Sequence, residues 1–370
     1  MNRRIIIMLV ILLIQIVTIE PIQAEEIKLP KISSEAAIVI DPATNTVLYE
    51  KNASKQLYPA SLTKIATAIY AIENGNLEDL VTISENAYRT MGSTVYLEKG
   101  EQLSLKRLLE GLLINSGNDA AVAIAEHLSG SVAEFSNELN TYLQDVIGVK
   151  QTHFKNPHGL FDVEHVTTAE DLAVITEYAM ENEVFSEIFG TKEIQWESKG
   201  WDTTLYTHHK LLREMPYPGV TGGKTGFIEE AGFTLATTAS RDNMSLVVIT
   251  MGNAHQLDAY QDTKALLDYG FEHFTRDGEA VTIRNDRQIK LRKLENTKKL
   301  RVEDEKATSG YTVLSNSKEM LTANRKELRK MTKIHHDVAL DFLLLGSILL
   351  FIWLKLYRKN LKNHDDVYHD

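Results

Sequence analysis

Three short polar strings, far apart and in a fixed order, constrain this chain more than anything else in it. They are Ser61-Leu62-Thr63-Lys64, Ser116-Gly117-Asn118 and Lys224-Thr225-Gly226. A serine hydroxyl is a poor nucleophile until a base takes its proton. Lys64 follows Ser61 by three residues, and Leu62 to Glu73 reads as helix. Residues i and i+3 are neighbours on a helix surface, so the amine reaches the hydroxyl. Pro59 suits a helix start, and the first turn lies at the positive end of the helix dipole. Any fold that uses all three strings must bring these distant stretches to one pocket.

One S-x-x-K string alone proves little, since a chain of this size holds about one or two by chance. A second, Ser315-Asn316-Ser317-Lys318, lies in a polar stretch with no later K-T-G, and reads as solvated surface. Ser84-Glu85-Asn86 is a stray S-x-N. The bland reading of Ser61 is an ordinary helix N-cap. The ordered set argues against it, because it resembles the active-site serine penicillin-recognising enzymes, which carry S-x-x-K, S-x-N and K-T-G.

Organisation along the chain supports that reading. Ala36 to Ile40 and Thr46 to Tyr49 read as strands around an Asp41-Pro42-Ala43-Thr44-Asn45 turn. Leu103 to Leu113 is helical, with Leu105, Leu108, Leu109, Leu112 and Leu113 on one face. Asn118 to Leu128 resumes a helix, so Ser116 lies at a helix-to-helix junction. Phe135 to Ile147 and Thr168 to Met180 read as further helices. After Gly219 the period changes. Gly222-Gly223-Lys224-Thr225-Gly226 opens a hairpin, with Phe233 to Ala239 and Ser245 to Met251 as strands and Leu257 to Phe274 as a closing helix. The expectation is one α+β domain, with an antiparallel sheet flanked by helices and an inserted all-helical region.

The resemblance extends to longer strings. Tyr58-Pro59-Ala60-Ser61-Leu62-Thr63-Lys64, Leu113-Ile114-Asn115-Ser116-Gly117-Asn118-Asp119-Ala120-Ala121, Asn156-Pro157-His158-Gly159-Leu160, Gly223-Lys224-Thr225-Gly226 and Glu230-Ala231-Gly232-Phe233 are similar to the low-molecular-mass serine D-alanyl-D-alanine carboxypeptidases. The similarity covers about Ser34 to Phe274. It implies a β-lactamase/transpeptidase-like domain. It also implies hydrolysis of the terminal D-Ala-D-Ala bond of peptidoglycan stem peptides through a Ser61 acyl-enzyme, and acylation by β-lactams.

Residue by residue, the resemblance gives Lys64 as general base, Ser116 as proton relay and Asn118 as a holder of the substrate peptide. It gives Lys224 and Thr225 as the carboxylate site, and the Ser61 and Phe227 amides as the oxyanion hole. Gly222, Gly223 and Gly226 let a peptide lie close to the strand. Relatives often carry an arginine before an aromatic residue after the last strand, where this chain has Ala259-Tyr260. The alternatives are a serine β-lactamase or a non-catalytic wall-binding homologue. The first lacks E-x-x-L-N, since Ser136 precedes Asn137-Glu138-Leu139-Asn140. The intact strings argue against the second.

Other residues read as structural. His158 belongs to a turn, His208-His209 and His335-His336 to the surface, and Asp119 to a helix cap. No cysteine and no H-E-x-x-H string is present, so neither a thiol nucleophile, a metal nor another cofactor is expected. A net charge of −11 argues against a nucleic-acid partner.

The ends of the chain point to a membrane. Arg3 and Arg4 precede an apolar run from Ile5 to Ile19, and Ile22-Gln23-Ala24 ends in a small residue. This predicts a signal peptide over residues 1–24. An uncleaved anchor is the competing reading, disfavoured by the short run. Val338 to Leu356 is apolar, with Trp353 and Tyr357 and then Lys355, Arg358, Lys359 and Lys362 at its end. That pattern predicts a bilayer-spanning helix over 334–357 and a cytoplasmic tail over 358–370, the alternative of an interfacial helix being disfavoured because a dominant polar face is missing. The expected layout places a catalytic domain at 25–276, outside the membrane, and a small β-rich module or stalk at 277–333. The partners are then stem peptide, β-lactams and membrane lipid.

Overall fold

Successive residues of the first strand, Ala36–Asp41, face two different cores. Ala36, Ile38 and Ile40 enter one apolar cluster, while Ala37 and Val39 enter another. This is the period of two expected of a strand buried on both faces. The structure, a computed structural model, describes residues 28–278, 280–283 and 292–294. The chain divides into two compact units, Met1–Glu305 and Lys306–Asp370, and every described residue lies in the first.

In chain order the described elements are β1 (Ala36–Asp41), β2 (Thr46–Lys51), α1 (Thr63–Asn74), β3 (Leu80–Thr82), α2 (Glu85–Tyr88), β4 (Gln102–Ser104), α3 (Leu105–Ile114), α4 (Asn118–Ser129), α5 (Val132–Tyr142), α6 (Ala169–Met180), α7 (Glu183–Gly190), β5 (Glu193–Glu197), β6 (Asp202–Tyr206), β7 (Val220–Ile228), β8 (Gly232–Arg241), β9 (Met244–Asn253), α8 (Gln256–His273), β10 (Phe274–Asp277) and β11 (Ala280–Ile283). A 3-10 turn, Ala60–Leu62, precedes α1, and a π-helical turn, Leu143–Ile147, extends α5. Five strands form one antiparallel sheet in the order β2-β1-β9-β8-β7.

Cross-strand partners share a face. Ile38 pairs with Ile249 in the first cluster, and Val39 pairs with Val248 in the second. On the second face α8 covers the sheet with Ala259, Tyr260, Leu266 and Leu267. On the first lie α1 and the helices around it. Every residue of α1 from Thr63 to Ala71 is buried. A helix enclosed on all sides needs small side chains, and Ala66, Ala68 and Ala71 let its neighbours approach. Lys64 is thus mounted on a deeply enclosed helix, and Ser61 on the 3-10 turn that leads into it.

The expected α+β architecture is present, as are the first hairpin, the strands that follow the third string, and the long helices. Two hairpins, β5–β6 and β3–β4, and the helix α7 lie outside the expected elements. The β5–β6 hairpin commits only Trp196 and Leu205 to the core. Trp196 lies against Gly111 of α3, where an added Cβ would sit 3.0 Å from the ring. The β3–β4 pair is only three residues a strand, whereas α7 does carry a helical pattern, with Asn182 as its cap and Phe185, Ile188 and Phe189 on one face.

The division expected at 276/277 falls inside the β10–β11 hairpin. Downstream, Arg292–Leu294 returns to the edge beside β2. The Val47 amide donates to the Arg292 carbonyl at 2.7 Å, and the Leu294 amide donates to Asn45 O at 2.8 Å. Arg292 also ion-pairs with Glu50 and Glu170. The rest of the expected β-rich module or stalk, the second S-x-x-K string, His335-His336, the signal peptide and the membrane helix lie outside the described residues. Among the described residues no helix is long and apolar enough to cross a membrane.

Candidate active site

The nucleophile turn is held in an uncommon backbone shape. Ala60 adopts φ 48°, left-handed for a residue with a side chain. Its neighbours enforce this. Gly159, itself at φ 89°, packs so tightly that an added Cβ would lie 1.9 Å from the Ala60 carbonyl oxygen. Thr234 Oγ1 of β8 donates to the Pro59 carbonyl at 3.0 Å, tying the turn to the sheet. Ser61 follows, half-buried, in the 3-10 turn that feeds α1.

Lys64 Nζ, fully buried, meets three oxygens. It lies 3.1 Å from Ser61 Oγ, 2.7 Å from Asn118 Oδ1 and 2.7 Å from the His158 carbonyl oxygen. Burial, then the charge of Lys224, pushes its pKa well below the ordinary lysine value, against an opposing pull from Asp119. A neutral amine has two hydrogens and one lone pair. Asn118 Oδ1 and the His158 carbonyl can only accept, so they take the hydrogens. The lone pair then faces Ser61, whose hydroxyl donates to it. The lowered pKa favours this neutral form, and the geometry accommodates it, which is the protonation state that a general base needs.

The second string sits at the start of α4. Ser116 adopts φ 61°, which turns its hydroxyl towards Lys224. Lys224 Nζ donates to Ser116 Oγ at 3.0 Å and to its neighbour's carbonyl, Thr225 O, at 2.8 Å. Burial lowers its pKa to about 7. Asn118 Nδ2 donates to the Met91 carbonyl at 2.7 Å, so its amide is oriented from both ends. Gly92 at φ 92° makes room, since an added Cβ would come 2.6 Å from that nitrogen.

The third string closes the site. It lies in β7, the terminal strand of the five-stranded sheet. At Gly226 an added Cβ would fall 2.8 Å from the Ser61 backbone nitrogen. Each string therefore touches the other two. Ser61-Lys64 meets Asn118, Ser116 meets Lys224, and Gly226 meets Ser61. Thr225 is half-buried, and Phe227 is 55% exposed, stacked on Phe233 at 4.4 Å.

Several residues differ from expectation. His158 does form a turn, but its carbonyl also holds Lys64. The Asn156-Pro157-His158-Gly159-Leu160 string carries the only sign of this in the sequence. Asp119 is not the cap: Gly117 is the N-cap of α4 and makes no side-chain cap bond, whereas Asp119, in the first turn, is buried and accepts from the amides of Val95, Leu97 and Ala120, fixing the loop before β4. His208 is exposed, but His209 is only 1% exposed, beneath Gly223, with Nε2 2.8 Å from Thr237 Oγ1. Adjacent histidines give no periodic sign of that burial. Ala259 and Tyr260 lie in the second core, where the Tyr260 hydroxyl donates to the His208 carbonyl. Ser84 caps α2, as a stray motif should. Glu138 accepts from the Tyr70 and Ser129 hydroxyls, and Ser136 donates to the Val132 carbonyl. Neither serves the acidic role of a class A lactamase. No metal-holding cluster occurs among the described residues.

The chain is 35% identical over 250 residues to the D-alanyl-D-alanine carboxypeptidase DacF of Bacillus subtilis, covering 65% of this chain and 63% of that protein. It is 32% identical over 265 residues to DacA of Escherichia coli K12, covering 66% and 62%. The chain thus spans less than two thirds of the length of these curated relatives. Among solved structures, it superposes on the D-alanyl-D-alanine carboxypeptidase of Mycobacterium tuberculosis H37Rv with a TM-score of 0.63, at 28% identity, covering 67% of this chain and 94% of that one. A mutant of the Streptomyces K15 DD-transpeptidase gives 0.62 at 28% identity, covering 66% and 99%. The transpeptidase-like α+β fold is common to them. The profile described as Peptidase_S11, D-alanyl-D-alanine carboxypeptidase, matches residues 23–255, and with the three strings in mutual contact the chain belongs to that family.

Proposed function

We propose that this protein hydrolyses the terminal D-Ala-D-Ala bond of peptidoglycan stem peptides and so limits their cross-linking. The observation that carries the reading is Lys64 Nζ, with two carbonyl acceptors, 3.1 Å from Ser61 Oγ. Ser61 Oγ gives its proton to Lys64 and bonds to the carbonyl carbon of the penultimate D-Ala. The Ser61 and Phe227 amides receive the oxyanion, a role supported by the contact of Gly226 with the Ser61 nitrogen. Ser116, bonded to Lys224, passes a proton to the leaving amine. The C–N bond breaks and D-alanine departs. Water then cleaves the Ser61 ester. Lys224 and Thr225 hold the substrate carboxylate, and Asn118 orients the peptide. β-Lactams enter the first half of this cycle and stall in the second.

Incubation with an acyl-D-Ala-D-Ala peptide tests the activity. Free D-alanine should accumulate, while bound penicillin should leave slowly. Rapid penicillin turnover without D-alanine release would instead identify a lactamase.

The address of the protein is part of the same proposal. The apolar run after Arg3-Arg4 exports the chain, and the run ending at Leu356 anchors it, with the basic residues beyond it inside the cell. A short stalk beyond Leu294 would then hold the catalytic unit outside, near membrane lipid, with no nucleic-acid partner. A tag placed after Asp370 should survive protease added to intact cells, and its digestion would contradict this topology.

A further inference from the structure

One buried imidazole lies behind the nucleophile turn and takes no part in the reaction proposed above. His165 is 2% exposed and stacks on Phe154 with ring centroids 4.8 Å apart. Its Nδ1 accepts from the Lys155 backbone amide at 3.0 Å. An imidazole that accepts at Nδ1 carries its proton on Nε2. Nε2 lies 2.8 Å from Thr63 Oγ1, so the ring donates there. Thr63 Oγ1 in turn donates to the Ala60 carbonyl at 2.8 Å. The directed series thus runs from the Lys155 amide through His165 and Thr63 to the residue held at φ 48° beside Ser61. Burial keeps the ring neutral, with its pKa lowered to about 3, which preserves this direction across ordinary pH.

The same ring fixes the segment that serves Lys64. His153 and Val166 exchange both backbone hydrogen bonds at 2.9 Å, closing the loop that contains His158. His165 pins that loop from inside through Lys155, and Thr67 Oγ1 of α1 donates to the Pro157 carbonyl at 2.7 Å. The loop therefore meets α1 through two hydroxyls, Thr63 and Thr67, either side of Lys64. Gly159 of this loop presses on Ala60, and His158 supplies the Lys64 acceptor.

We infer that His165, acting through Thr63, is a positioning residue that sets the Ser61 turn and the His158 carbonyl in one register, so that hydroxyl and amine stay aligned. The inference rests on Ser61 as nucleophile. It assigns chemistry to Thr63, the third member of the first string, which that reading leaves idle. A shift of the reacting atoms by about 1 Å can cost about 100-fold in rate.

The test compares Thr63→Val, Thr63→Ser and His165→Phe by the kinetics of penicillin acylation, separating the non-covalent dissociation constant from the acylation rate constant. Valine keeps the shape of threonine and loses the hydroxyl, while serine keeps the hydroxyl. Thr63→Val and His165→Phe should lower the acylation rate constant about 100-fold with the dissociation constant unchanged. Thr63→Ser should acylate at a rate close to that of the intact chain. Equal rates for the valine and serine variants, or a loss confined to the dissociation constant, would overturn the inference. If His165→Phe fails to fold, the Thr63 pair decides alone. Absence of acylation in the unsubstituted chain would instead remove the underlying functional reading, and this inference with it.

Discussion

Replacing Ser61 with alanine should abolish covalent labelling by penicillin and cut D-alanine release by on the order of 10⁴-fold or more. The size of the effect follows from the covalent step. Among the described residues, no other hydroxyl lies within hydrogen-bond distance of Lys64 Nζ. Water could enter the space, but it would lack the orientation that the Ala60 turn gives Ser61. The substitution removes one oxygen from a half-buried site, so the fold should persist. Circular dichroism and thermal melting of the variant check this, and labelled-penicillin gels check the chemistry. A folded Ser61→Ala protein that released D-alanine at the normal rate would contradict the mechanism.

Replacing Lys64 with alanine should reduce acylation by about 10³-fold, within the usual range for a general base. The pH profile of the unsubstituted chain gives a sharper form of this prediction. In the proposed mechanism Lys64 works as the free amine, and its pKa is lowered by burial and by Lys224. Acylation efficiency should therefore rise with pH as Lys64 loses its proton, on a limb well below the ordinary lysine value. In the same proposed mechanism Lys224 is the cation that receives the substrate carboxylate, and its pKa is lowered to about 7. Efficiency should fall again as pH climbs past about 7 and that charge is lost. The measurement is kcat/KM for an acyl-D-Ala-D-Ala peptide from pH 5 to pH 9, a range chosen to bracket both limbs. Lys64→Ala should lack the acidic limb. Unchanged labelling kinetics in that variant would exclude Lys64 as the base.

Much of the site is legible in the sequence because its chemistry is written in side chains at short spacing. Ser61 and Lys64 are three residues apart on a helix start, and that alone puts the amine near the hydroxyl. The sheet strands are legible because both faces are covered, giving aliphatic runs such as Ala36 to Ile40. The features that leave no such trace act through the backbone or through tertiary burial. The His158 carbonyl and the Met91 carbonyl orient Lys64 and Asn118, and any residue type could supply those oxygens. His209 looks polar in the sequence, and the tertiary packing of Gly223, Thr237 and Tyr260 around its ring puts it in the interior. His165 is a lone histidine within a loop. Its importance comes from Thr63, 102 residues away in sequence. Arg292 similarly reaches back to Glu50 and Glu170 from beyond the expected domain edge, because long-range ion pairs leave no local periodicity.

The most direct measurement is the intact mass of the purified chain after brief exposure to penicillin, followed by mapping of the modified peptide. One molecule of penicillin should add to each chain, and the adduct should lie on the peptide that contains Ser61. An unmodified chain, or an adduct on a serine elsewhere such as Ser315, would contradict a site built from the meeting of these three strings.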